Sequence, residues 1–126
     1  MEKRTILIID DDVAVLEILN EWLTDEGYDV KAFSEAGNII KMLNTYRPDV
    51  VLLDYLLKGK CGGELSKEIK ADPIFSMTPV VIFSACTPHS FGLDDYPCDA
   101  FIQKPFDLFE LTEKLNYLIS PEISPV

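Results

Sequence analysis

Three consecutive aspartates, Asp10, Asp11 and Asp12, end a run of apolar, largely β-branched residues that begins at Thr5. Adjacent like charges repel, so carboxylates stacked at the end of such a run call for a partner, and a cation is the simplest one. A further carboxylate, Asp54, closes the apolar run "VVLL". A hydroxyl, Ser84, closes "VVIF", and an ammonium, Lys104, follows "AFIQ". If the chain brings these groups together, they form an oxygen-rich acidic site with one fixed positive charge. A hard divalent cation suits such donors, and Mg²⁺, which takes one or two carboxylates plus phosphate and water, fits better than Zn²⁺.

The elements that must position these residues are legible as two alternating periodicities. Thr5 to Ile9 reads as a buried strand, and Val15, Ile18, Leu19, Trp22 and Leu23 then recur at helical spacing up to a stop at Gly27. Asp12 reads as a helix-start residue rather than a ligand. Tyr28 to Phe33 is a second strand, followed by a helix capped by Ser34, with Ala36, Ile39, Ile40 and Leu43 on one face and Pro48 as its end. Val50 to Leu53 is too short for a helix and gives a third strand. The glycine-rich "KGKCGGEL" opens a helix that "ADP" stops, and "PVVIF" is a fourth strand. Its glycines lack the order of a phosphate-binding loop and read as turn formers. Ala100 to Ile102 gives a fifth strand, and Asp107 with Glu110 forms a capping box for a last helix carrying Leu111, Leu115 and Leu118.

Strands buried on both faces and alternating with helices imply an α/β fold with a doubly wound parallel sheet, in which ligands sit at the carboxyl ends of the strands. Asp10, Asp11, Asp54, Ser84 and Lys104 all fall at such ends. That placement raises each of them above its ordinary reading as a turn residue or a solvated charge.

Composition narrows the classes. The 126 residues, 48% hydrophobic and 26% charged, suit one compact domain, expected over residues 1–120 with a tail at 121–126. No signal-type apolar segment follows Met1 and no stretch approaches bilayer length, so a cytoplasmic protein without membrane insertion is expected. A net charge of −11 opposes phosphate backbones and argues against direct nucleic-acid binding. The three cysteines lack metal-type spacing, and the single histidine, His89, lies in an apparent loop.

From "ILIIDDD" through "DVVLLDYLLKGKCGGEL" and "PVVIFSA" to "FIQKPF", nearly the whole chain resembles the receiver domain of bacterial two-component response regulators. The resemblance implies a flavodoxin-like sheet of five parallel strands in the order 2-1-3-4-5, covered by helices on both sides. It implies that Asp54 is the phosphoacceptor, and that Asp10, Asp11, Asp54 and the backbone carbonyl of Leu56 hold Mg²⁺. Lys104 would pair with Asp54 and then with a phosphoryl oxygen, and Ser84 would donate to another. Phe101 matches the family's aromatic switch, coupled to Ser84, and a cis peptide is implied between Lys104 and Pro105. The partners implied are a sensor histidine kinase or a histidine phosphotransfer protein, docking around Val13, Ala14, Leu16, Pro105 and Phe106, and a downstream protein target. With the chain stopping soon after the last helix, signalling by contact is expected rather than through an attached output domain.

The sequence also departs from the family. Lys58 stands where a proline is usual, and Cys61 where an acidic residue is frequent. Between Ala85 and Asp99 the breakers Pro88, Gly92 and Pro97 leave no helical period, so a short or irregular fourth helix is expected. Phe109 and Tyr117 lie off the Leu111, Leu115, Leu118 stripe and are expected to be partly exposed, offering a partner contact or a homodimer through the fifth strand and last helix. Leu56 and Cys86, where the family tunes access of water, carry no charged or amide group, which implies slow self-dephosphorylation. Three other readings compete. A phosphorylation-independent interaction module would retain the fold alone. A haloacid-dehalogenase-type enzyme would need an Asp where Leu56 stands. A flavin-binding protein would need a Ser/Thr-rich loop after the first strand.

Overall fold

The computed structural model describes residues 3–57, 59–85 and 97–119. The strands β1 (Thr5–Ile9), β2 (Asp29–Phe33), β3 (Val50–Asp54), β4 (Val80–Ser84) and β5 (Ala100–Gln103) form one parallel sheet in the order β2-β1-β3-β4-β5. Among the described residues the helices are α1 (Val13–Asp25), α2 (Ile39–Tyr46), α3 (Gly62–Ala71) and α4 (Leu108–Ile119). The strand order and doubly wound architecture match the sequence expectation. The irregular fourth helix expected between Ala85 and Asp99 falls mainly on residues 86–96, outside the described residues.

The sheet separates two cores because successive side chains of a strand point to opposite faces. Ile6, Ile8, Val50, Leu52, Val81 and Phe83 pack on Leu16, Leu19 and Leu23 of α1 and on Leu111 and Leu115 of α4. Leu7, Ile9, Val51, Leu53, Val80 and Ile82 pack on Ile39 and Leu43 of α2 and on Leu65 and Ile69 of α3. The three central strands are buried on both faces, which explains why their sequences read as unbroken apolar runs. Across the first core the Trp22 indole N–H donates to Thr112 Oγ1 at 2.8 Å, and the Phe109 ring meets the Trp22 ring edge-on at 5.2 Å. These contacts fasten α4 to α1.

Helix ends follow local chemistry. Asp12 Oδ1 accepts the N–H groups of Ala14 at 3.0 Å and Val15 at 3.4 Å, satisfying donors the first turn leaves open. Gly27, at φ +101°, closes α1 in a conformation other residues rarely adopt. Asp107 Oδ1 likewise accepts from Phe109 and Glu110 at the start of α4. The expected Ser34 cap is corrected. The second helix begins at Ile39 under Asn38, whose Oδ1 accepts the Lys41 N–H at 3.1 Å. Gly37, at φ +56°, bars a right-handed helix from running back to Ser34.

Candidate functional site

The carboxyl ends of β1, β3 and β4 and the segment after β5 converge on one acidic cleft. Asp10, immediately after β1, is fully buried; its Oδ1 accepts the Asp12 N–H at 2.9 Å and its Oδ2 accepts Lys104 Nζ at 3.0 Å. Asp54 ends β3 and is only 6% exposed. Its Oδ1 accepts the Leu56 N–H at 3.4 Å, and its Oδ2 lies 3.6 Å from Lys104 Nζ. Asp11 is exposed at the rim. Asp10, Asp11 and Asp54 each offer an oxygen within 4.8 Å of the other two. Lys104, expected to pair with Asp54, stands nearer to Asp10.

One ammonium between two buried carboxylates leaves the cleft with excess negative charge. The Asp54 carboxyl is consequently pushed up to about 7, first by burial and then by the charge of Asp10, with Lys104 opposing both. A carboxylate held in this way favours whatever positive charge can reach it. The cluster consists wholly of hard oxygen donors, one of them on the solvent side, and these are the donors a divalent cation of the Mg²⁺ or Ca²⁺ type takes. The residues therefore fit a metal site.

The remaining predicted residues divide. Ser84 is buried at the end of β4, beside Gln103 across the β4–β5 pairing, and its carbonyl accepts the Lys104 N–H at 2.7 Å. That bond anchors the lysine backbone at the cleft floor. The Lys104–Pro105 peptide is cis, as the resemblance implied. Phe101 is partly buried against the α2 and α3 side of the sheet. Val13, Ala14 and Pro105 are exposed beside the cleft, and Leu56 is 54% exposed at its edge. Leu16 is corrected as a docking residue, because it shares the Leu19 and Leu23 stripe that α1 turns toward the sheet. Phe106 is half-buried, its ring edge-on to Phe83 at 5.9 Å.

Two contacts at the cleft escaped the sequence reading. The "KGKCGG" glycines read from sequence as turn formers, yet Gly62 is packed against the backbone of Asp54 and donates its N–H to the Tyr55 carbonyl at 2.8 Å. Phe83 reads from sequence as plain core, yet Lys104 Nζ lies 4.6 Å from the centre of its ring. Its place immediately before Ser84 is the one signal the sequence offers, and the sheet adds its pairing in register with Asp54. Phe109 and Tyr117 are exposed as expected but face different neighbours. Phe109 meets Trp22 of α1, while Tyr117 lines a cavity of about 400 Å³ beside Asp99 and Ala100.

Residues 6–116 match the family model described as the response regulator receiver domain. The chain is 33% identical over 112 residues to the DNA-binding transcriptional regulator NtrC of Proteus hauseri, covering 87% of this chain and 23% of that protein. It is 32% identical over 117 residues to the DNA-binding response regulator MtrA of Mycobacterium tuberculosis, covering 90% of this chain and 50% of that protein. The chain thus spans half or less of these curated relatives. Among solved structures, the signal receiver domain of a signal transduction histidine kinase from Syntrophus aciditrophicus superposes with a TM-score of 0.86 at 25% identity, covering 94% of this chain and 91% of that one. A CheY-like receiver domain protein from Methanospirillum hungatei gives 0.83 at 25% identity, covering 96% and 97%. A sheet order, an acidic cleft and a family match that spans both agree: the chain belongs to the response regulator receiver domains of two-component signal transduction.

Proposed function

We propose that Asp54 is the phosphoacceptor of this receiver domain, taking a phosphoryl group from a phosphohistidine on a sensor kinase or phosphotransfer protein. The observation that carries the reading is a buried carboxylate at a strand end, within reach of two further carboxylates and one ammonium. An Asp54 oxygen bonds to phosphorus in line as the P–N bond of the donor breaks and its imidazole departs. Asp10, Asp11, Asp54 and the Leu56 carbonyl would hold Mg²⁺, which when bound supplies positive charge to the oxygens of the transferring group. Lys104 leaves the carboxylates to bond one phosphoryl oxygen, and Ser84 donates its hydroxyl to another. Phe101 follows Ser84 inward and passes the change to the β5 and α4 surface, where a downstream protein or a second copy reads it.

The kinase or phosphotransfer partner docks over Val13, Ala14 and Pro105. Residues 1–120 form the working unit, in the cytoplasm, and self-dephosphorylation is slow because Leu56 cannot position a water. The test is intact-protein mass after incubation with acetyl phosphate or phosphoramidate, with and without Mg²⁺, for wild type and Asp54→Ala. A Mg²⁺-dependent gain of one phosphoryl group that the variant lacks is expected. A folded wild type that gains nothing would make a phosphorylation-independent interaction module the better reading.

A further inference from the structure

We propose that the Phe83 ring is a positioning residue for Lys104, seating its ammonium by a cation–π contact so that its N–H donors stay directed at the acceptor oxygens. The proposal rests on the phosphoacceptor reading of Asp54. Lys104 Nζ lies 4.6 Å from the Phe83 centroid, 3.0 Å from Asp10 Oδ2 and 3.6 Å from Asp54 Oδ2. The ring is 1% exposed, and Phe106 meets it edge-on at 5.9 Å, which restrains its tilt. Its backbone is held beside the cleft, since the Phe83 carbonyl accepts the N–H of Tyr55, the residue after Asp54, at 2.9 Å. The lysine side chain is long, flexible and 18% exposed, so an outward path to water is open.

A π-face attracts a cation without competing for a hydrogen-bonding lone pair. The ring can therefore hold Nζ while its donors pass from carboxylate to phosphoryl oxygens. Leucine there would fill most of that volume and leave the ammonium free to drift outward, while the fluorinated rings keep the volume and change only the face. The burial of the ring strengthens the attraction, because little water screens it.

The experiment installs Phe83→Leu, and separately a graded series of ring-fluorinated phenylalanines at position 83, which preserve shape while draining the ring face of charge. Phosphorylation by acetyl phosphate is followed by mass, Mg²⁺ affinity by calorimetry, and the Lys104 Cε protons by NMR. The expected result is a maximal rate about fivefold to tenfold lower in Phe83→Leu, falling stepwise with fluorination, at an unchanged half-saturating donor concentration. Mg²⁺ affinity does not fall, since an ammonium that drifts from Asp10 and Asp54 leaves the carboxylate cluster more negative, whereas a distorted cleft would weaken both. In wild type the Lys104 Cε protons are shifted upfield by the ring, and in Phe83→Leu they are not. A labelled wild type with equal rates across the fluorinated series overturns this proposal alone. A folded wild type that takes no phosphoryl group overturns the phosphoacceptor reading and this role with it.

Discussion

Gly62 is packed so tightly against Asp54 that a Cβ there would overlap the Asp54 carbonyl oxygen and lie 2.9 Å from its carbonyl carbon. The start of α3 is thereby pressed onto the strand end that presents the Asp54 carboxylate, the proposed phosphoacceptor. Gly62→Ala forces one backbone to give way, at a cost of about 1–3 kcal/mol in urea denaturation. Phosphorylation is expected to fall further than the loss of folded protein explains. Gly59, at φ +84° with open space around it, supplies the contrast. Gly59→Ala should cost only about 1 kcal/mol, from backbone conformation alone.

The cleft makes stability depend on pH. The Asp54 carboxyl is raised to about 7 in the folded protein, by burial first and Asp10 second, so the folded state binds that proton more tightly than the unfolded chain does. Its favourable contribution is complete below the unfolded carboxylate range and is lost as pH rises through about 7. With divalent cations chelated, Asp54→Asn is therefore expected to be more stable than wild type at pH 8, by on the order of 1–2 kcal/mol. At pH 4 the two should converge. Urea titrations of both proteins across that range check the difference.

Adding Mg²⁺ should reverse the order at pH 8, because a cation that binds only the folded state stabilises it by mass action. Asp10→Asn and Asp11→Asn are each expected to weaken Mg²⁺ binding by on the order of tenfold or more. Calorimetric titration of the two variants measures this directly. Equal affinity in Asp11→Asn would remove the exposed member of the cluster from the ligand set.

Fastening of α4 to α1 can be tested at Thr112. Its hydroxyl accepts the Trp22 indole N–H at 2.8 Å and donates to the Leu108 carbonyl at 2.8 Å. Thr112→Val keeps the shape and leaves the indole donor without that acceptor, costing about 1–3 kcal/mol, while Thr112→Ser should cost less than half as much. Trp22 is the only tryptophan, so its fluorescence reports on the same contact.

Partner docking separates from self-association in the variants it predicts. Val13→Glu is expected to slow transfer from a phosphohistidine partner and leave labelling by acetyl phosphate intact, because the residue is 58% exposed and outside the acidic cluster. Phe109→Glu and Tyr117→Glu, facing α1 and the β5 side respectively, are expected to differ in their effect on self-association. Sedimentation of each phosphorylated variant distinguishes the two faces, and an unchanged oligomeric state in both would remove the homodimer.

Much of this protein was determined by its sequence. Apolar runs at Ile6 to Ile9, Val50 to Leu53 and Val80 to Phe83, spaced by helical patterns, point to a parallel sheet, since strands alternating with helices are covered by them on both faces. The carboxyl ends of such strands lie at one edge, so Asp10, Asp54, Ser84 and Lys104 were bound to converge. The tertiary structure alone decided what those residues touch. Helical period marked Leu16 as apolar, but only the packing of α1 showed it turned into the core and away from a partner. Gly37, a single left-handed residue, moved the second helix start from Ser34 to Asn38. The preference of Lys104 for Asp10, the ring of Phe83 beneath it and the pressure of Gly62 on Asp54 depend on distances between segments remote in sequence. Local propensity and periodicity carry no information about such distances, because they are set by how the packed layers close on one another.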